Sequence, residues 1–384
     1  MSSPIDTSRP SRKRVWQLQE GGLLLVIVLL GFLLTVFGGS VKAPLFEIGP
    51  DGERQRVFTT NAAGEREPVL IERNKFLNAQ NLIQLAKDTS FIAIMAVGAT
   101  LVIISGGIDL SVGAIYALAS VLSALVFRLY GPEGPYAGGS IWLGVGLGML
   151  TCVGIATLSG LLNGGMIVAL RVHPFIITLG TMAIFRGIAF VITTGQSVGG
   201  FPQAFRELVL FGAGGQSSGE GLRLVPLAVM VIVAVAGWIY LSRLAAGRRI
   251  YAIGGNELAS RFSGIRVERV KLSVYIYSGL TAGIAALLAL GYYGAATSGD
   301  GQGYELNVIA AAVVGGASLS GGKGSALGAV LGALLIQMIS SGIVILGIEQ
   351  NYSQIIIGAV VIIAVVLDQV NSWVTKRRLL TQAP

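Results

Sequence analysis

Apolar runs with few charges recur along this chain, at 21–39, 89–106, 108–127, 140–170, 175–194, 224–241, 272–290, 304–320, 325–347 and 352–369. Most approach or exceed the roughly 20 residues an α-helix needs to cross about 30 Å of hydrocarbon. Inside a bilayer every backbone N–H and C=O must be paired within the protein, which leaves helices as the natural fold for such runs. The expected class is an all-α membrane protein with about ten transmembrane helices. Only 12% of the 384 residues are charged, about half the ~25% usual in soluble domains. The 55 glycines include many inside apolar runs, where small residues let helices approach closely.

Charge sets the expected orientation. Arg12, Lys13 and Arg14 precede the run 21–39 as in a secretory signal, but that run is longer than the usual ~7–15-residue signal core and reads as an uncleaved first span. With the N-terminus cytoplasmic and about ten crossings, both termini lie inside. Arg9, Arg12, Lys13, Arg14, Arg171, Lys323, Lys376, Arg377, Arg378 and the basic loop 242–271 then face the cytoplasm, against Arg128 and Arg206 in the short outer loops. This is the positive-inside pattern. The expected organisation is a cytoplasmic segment 1–20, a transmembrane domain 21–370 and a cytoplasmic tail 371–384. Within the domain, 40–88 is an external loop ending in a short interfacial helix near 79–88.

The net charge of +8 could suggest nucleic-acid binding, but no basic face alternates with aromatic residues as a base-stacking surface requires. Cys152 is the only cysteine and His173 the only histidine. One buried thiol forms no intrachain disulfide, and a histidine beside Pro174 at a helix boundary reads as structural. No convergent acid, base, nucleophile or metal-ligand set appears, so no catalytic or metal site is expected. Lys323 lies in a near miss to a phosphate loop: G-x-x-x-x-G-K-[ST] would need Gly at Ala317 and Ser or Thr at Gly324. The chain is not expected to hydrolyse ATP.

Two stretches share the pattern GG-x-x-LS-x-G, Gly106–Gly113 and Gly315–Gly322, each followed by a small-residue-rich span, 114–125 and 324–335. This is what duplication of a transporter half would leave. Paired glycines loosen a helix in mid-membrane, so Gly106, Gly107, Gly315 and Gly316 are expected helix breaks. Backbone freed at a break needs protein or water partners, and breaks tend to line transport paths. Asp109, two residues beyond the first pair, either caps the following helix or lines such a path.

The loop 242–271 is too long and too organised for a plain turn. Asn256 is placed to cap a two-turn helix over 256–263 that exposes Ala259 and Ser260 and stops at Gly264. A short helix lying across the inner face suits a groove in a soluble partner; a cationic loop held on anionic lipid is the other reading.

Four stretches together resemble the permeases of binding-protein-dependent ABC importers, in the ribose, xylose and arabinose branch: Gly106–Gly113 (GGIDLSVG), Pro174–Arg186 (PFIITLGTMAIFR), Gly247–Gly264 (GRRIYAIGGNELASRFSG) and Gly315–Gly324 (GGASLSGGKG). The resemblance covers most of 80–370. Leu258-Ala259-Ser260-x-x-x-Gly264 fits the spacing of the family's E-A-A-x-x-x-G coupling loop, with the acid displaced to Glu257. The external segment 40–73 is longer than is usual there.

The resemblance implies a permease of the bacterial inner membrane that dimerises, with a second copy or a related chain. It implies an ABC ATPase partner that holds ATP and magnesium, and a periplasmic sugar-binding protein. Asn256, Glu257, Leu258, Ala259, Ser260, Gly264 and Ile265 would form the ATPase-coupling loop. A neutral polyhydroxylated cargo needs hydroxyl and amide partners, so Ser111, Asn163 and Asn307 join Asp109 as expected lining residues; their alternative role is to hydrogen-bond neighbouring helices. A gradient-driven transporter using Asp109 as proton carrier is the main rival. A pure channel lacks a repeated ring of carbonyls or charges.

Overall fold

The computed structural model describes residues 12–48, 54–60, 64–213, 222–349 and 351–360, with 362–363 and 365–366 in the last helix. The first eleven residues of the expected segment 1–20, the end of the tenth span and the tail 371–384 lie outside them. The first helix is α1 (Arg12–Phe37). Six short strands follow: β1 (Ser40–Pro44), β2 (Phe46–Ile48), β3 (Arg54–Arg56), β4 (Phe58–Thr60), β5 (Arg66–Pro68) and β6 (Leu70–Asn74). Then come α2 (Ala79–Ile104), α3 (Val112–Leu129), α4 (Ile141–Leu170), α5 (Pro174–Thr193), β7 (Val198–Gly199), α6 (Gln203–Leu210), β8 (Gly212–Ala213) and β9 (Leu222–Arg223). The rest comprises α7 (Leu224–Arg243), α8 (Ala245–Gly255), α9 (Glu257–Phe262), α10 (Val267–Tyr293), β10 (Ala295–Ala296), α11 (Tyr304–Val314) and α12 (Ala326–Ile345). Residues 352–360 are helical. Among the described residues, α2, α3, α4, α5, α7, α10 and α12 are long and apolar enough to cross a membrane; Gly21–Phe37 and α11 are shorter apolar helices.

Local chemistry fixes the helix ends. Ser140 and Ser325 cap α4 and α12 by accepting from Leu143 and Gly328 amides, at 3.4 and 2.9 Å. Pro174 opens α5 behind a cap in which His173 Nδ1 accepts from Phe175 N–H at 3.3 Å. α2, α3 and α10 form the buried centre, whereas α5 and α7 expose mostly apolar faces, as helices bordering lipid do.

α10 crosses α4 closely because the small residues Ala156, Gly160 and Gly164 face Gly279, Gly283 and the backbone and Cβ of Tyr275. A Cβ on Gly279 would strike the Ala156 carbonyl, whereas one on Gly180 of α5 meets nothing. Gly279→Ala is therefore expected to lower thermal stability in detergent by about 1–3 kcal/mol of overpacking. Gly180→Ala should be neutral or stabilising, since alanine is the better helix former by up to ~1 kcal/mol.

Connections gather at two ends. At one, hereafter the α9 end, Gly322 N–H donates to Ile104 O at 2.9 Å and Tyr251 Oη to Gly324 O at 2.7 Å. At the other, the hairpin end, β7 pairs with β10 and Asn74 Nδ2 donates to Thr35 O at 2.7 Å.

The structure departs from the expectations in several places. No separate interfacial helix exists at 79–88: those residues are the first turns of α2, which absorbs the expected span 89–106. Within 40–74 the described residues form three antiparallel strand pairs, β2·β3, β4·β5 and the closing pair β1·β6. They meet at a closed triangle of backbone bonds, Leu45 N–H to Val69 O, Val57 N–H to Leu45 O and Val69 N–H to Val57 O, at 2.7, 2.9 and 2.9 Å. The loop 242–271 is mostly helical, and α10 begins at Val267 rather than 272. α11 stops at Val314, leaving 315–325 as an irregular crossing. The basic residues 12–14 and the rest of 12–20 belong to α1 rather than to a free segment.

Candidate coupling face and translocation cavity

α9 is held at both ends by its own sequence. Asn256 Oδ1 accepts from Ala259 N–H at 2.9 Å, and Gly264, at φ 79°, turns the chain so that Ile265 N–H reaches Ser260 O at 3.1 Å. Ser260 is not exposed as expected. Its hydroxyl turns inward to Asn256 O at 2.8 Å, because the face that looks out is set by Leu258 and Phe262, one turn apart and 67% and 88% exposed. Glu257 pairs with Lys271 at 2.7 Å and Arg261 with Glu268 at 2.6 Å. Exposed pairs add little stability, but together these fix the angle of α9 against the start of α10.

α8 carries α9 to the helix breaks. A Cβ on Gly254 would strike the Ile104 carbonyl and the Gly322 amide, and one on Gly321 would strike Gly254 itself. The end of α2, the end of α8 and the segment after α11 therefore meet backbone to backbone. Tyr251, on the last turns of α8, adds the bond to Gly324 O.

The two breaks differ in register. After α2, Gly106 has φ 84°, and Gly106 and Gly107 N–H return to Ile103 O and Val102 O. After α11 the same pair of bonds comes from Gly316, at φ 95°, and Ala317, to Val313 O and Ala312 O. The second helix thus ends one residue later in the shared motif, and α12 starts only at Ala326 where α3 starts at Val112. Ser320, matched in sequence to Ser111, consequently sits exposed in a turn.

Asp109 is buried. Its Oδ1 accepts from Ser111 N–H and Oγ at 2.9 and 2.6 Å, and its Oδ2 accepts from Ser278 Oγ of α10 at 2.8 Å. Asn163 Nδ2 donates to Ser111 Oγ at 2.7 Å. Asp109, Ser111 and Asn163 thus form one chain that ties the first break to α4 and α10. All three are shut away from solvent in this conformation. Asn163 Oδ1 is left without a partner. Asn307, on α11 and half-buried, lies outside this chain.

Open polar space lies elsewhere. A cavity of about 260 Å³ is lined by Tyr116, Ser120, Tyr293, Asp300, Gly301 and Tyr304, with Ala289, Leu290 and Ala295. None of these was singled out by sequence reasoning; the tyrosines and the Asp300-Gly301 turn were its only local signal. A larger groove of about 370 Å³ beside Trp142, Leu208, Phe211 and Val225 has mainly apolar walls.

A family profile described as "Branched-chain amino acid transport system / permease component" matches residues 81–365. The chain belongs to this permease family. It is 38% identical over 295 residues to the ribose import permease protein RbsC of Escherichia coli (strain K12), covering 76% of this chain and 87% of that one. It is also 38% identical over 297 residues to the D-allose transport system permease protein AlsC of the same strain, at 77% and 86% coverage. The autoinducer 2 import system permease protein LsrD of Yersinia enterocolitica is 32% identical over 321 residues, at 80% and 91% coverage. The matched region carries α9, the glycine junction, the Asp109 chain and the cavity. The β1–β6 module precedes it.

Proposed function

We propose that this chain is the membrane permease subunit of an ATP-driven importer of a neutral monosaccharide. It sits in the bacterial inner membrane with the α9 end and both termini cytoplasmic, crossing about ten times. It works as a dimer, with a second copy or a related chain. A separate ABC ATPase, which binds ATP and magnesium, docks on α9, and a periplasmic binding protein delivers sugar to the hairpin end.

The observation that carries this reading is the path from Leu258 and Phe262 to the helix breaks. An exposed apolar pair on a capped short helix suits a partner groove, and the backbone contacts of Gly254 pass any displacement of α8 to the ends of α2 and α11. Closure of the nucleotide-bound ATPase pair would then move the helices that bound the path, giving alternating access. The family description favours a second cargo, a branched-chain amino acid. A zwitterion asks for a cation and an anion to receive its termini, and no cationic side chain lines the cavity, which supports the sugar.

The test is uptake into proteoliposomes holding this chain, its ATPase and its binding protein. Phe262→Glu is expected to remove an interface anchor of about 2 kcal/mol or more, and so to weaken ATPase association roughly 30-fold and remove uptake. The bulky variants Ala259→Arg and Gly264→Arg should behave alike. Unchanged uptake in all three would refute coupling through α9, and uptake of labelled leucine but not of sugars would refute the cargo.

A further inference from the structure

The cavity beside α3 has the makings of a ligand site. Tyr116 and Tyr304 meet edge to face with centroids 5.5 Å apart, and Tyr293 and Ser120 complete its aromatic and hydroxyl lining. Aromatic rings offer flat apolar faces with a negative quadrupole, which suit the C–H face of a sugar ring, while phenol and serine hydroxyls can exchange hydrogen bonds with its edge. Asp300 Oδ1 and Oδ2 each accept one bond from Thr297, at 2.6 and 2.9 Å, and each keeps further acceptor capacity for a sugar hydroxyl.

The segment between β10 and α11 that carries Asp300 and Gly301 is anchored from α5. Arg186 Nη1 donates to Ser298 O and Asp300 O at 3.0 and 2.6 Å. Both bonds come from Nη1 alone. Beside Gly301, the buried Glu305 Oε2 has no partner. Lys87 also stands behind the wall, donating to Tyr293 Oη at 3.4 Å, so the charges behind it are of both signs. The wall itself carries a carboxylate and no cation, which favours a hydroxyl donor over an anion. The volume falls just below the roughly 300–1,000 Å³ of drug-sized sites, suiting one ring.

We infer that the Tyr116–Ser120–Tyr293–Asp300–Tyr304 cavity holds one neutral, unphosphorylated monosaccharide in transit. This rests on the importer reading and adds to it a binding site within the permease itself.

The native background is convenient, because Cys152 is the only cysteine and is buried. In a Cys152→Ser, Ser120→Cys chain reconstituted with its ATPase in nanodiscs, a small methanethiosulfonate should label position 120 from the cavity. Saturating D-ribose or D-allose is expected to slow labelling about threefold or more, as site occupancy demands, and ribose 5-phosphate to leave it unchanged. Tyr304→Ala in the same background should remove the protection, with labelling of position 120 itself retained as the sign that the cavity is still formed.

Absence of labelling, labelling slowed by none of these sugars, or equal protection by the phosphate would overturn the site. Protection without ATP-driven uptake would uphold the cavity and sink the importer reading. Uptake without protection would do the reverse.

Discussion

Gly254→Ala is expected to reduce ATP-driven uptake at least tenfold while the ATPase still binds and hydrolyses ATP. The added methyl would overlap the Ile104 carbonyl and the Gly322 amide, which are backbone atoms that cannot rotate away. α8 would have to lift from the end of α2, straining or breaking the 2.9 Å bond from Gly322 N–H to Ile104 O. Overpacking of this kind costs about 1–3 kcal/mol, and the lost hydrogen bond adds about 1. The damage falls on the junction between α9 and the helix breaks, not on the outward face of Leu258 and Phe262, so docking should survive and transmission should not. Gly255→Ala is the control, because a Cβ there meets nothing within 4 Å. Paired measurements of uptake and ATP hydrolysis in proteoliposomes decide the matter, and wild-type uptake by the Gly254 variant would remove this junction from the coupling route.

How much of this was readable beforehand depends on whether the determinants were local. Segment 140–170 was read almost to the residue because Ser140 caps it and no charge interrupts it. The start of α2 was misread because Gln84, Lys87 and Asp88 look like the end of a polar loop. In the fold Lys87 is buried, lying 4.2 Å from the Tyr292 ring centroid and 3.2 Å from Asp88. Those tyrosine partners are some two hundred residues away. The hairpins had one cue, the turn sequence Gly49-Pro50-Asp51-Gly52, but their three- and five-residue strands are too short to show alternation.

The same division runs through the site. The caps of α9 at Asn256 and Gly264 are local chemistry and could be read. The burial of Ser260 follows from which side of α9 rests on the protein, which spacing alone does not give. The GG-x-x-LS-x-G echo located both breaks, yet helix ends are set by the return bonds of the final turn, and these fall one residue apart in the two copies. Tyr116, Tyr293 and Tyr304 come from three separate segments, so their cavity exists only after α3, α10 and α11 have packed.

Asp109→Ala is expected to be the most destabilising single change in the membrane domain, at about 3–5 kcal/mol. One carboxylate accepts from Ser111 N–H, Ser111 Oγ and Ser278 Oγ, and each buried donor left without an acceptor costs about 1–3 kcal/mol. Some of that is recovered by reorientation of the hydroxyls. Asp109→Asn should cost less, about 1 kcal/mol, because its carbonyl can still accept from Ser111 while its amide donates to a reoriented Ser278 hydroxyl. Thermal unfolding in detergent is therefore expected to rank wild type above Asn and Asn well above Ala, with the Asn variant still importing sugar under ATP. That order would make Asp109 a hydrogen-bonded clasp between the first helix break, α4 and α10. An Asn variant that folds as well as wild type but fails to transport would instead assign the work to the carboxylate's ability to carry charge or a proton. The gradient-driven mechanism would then regain its claim on this chain.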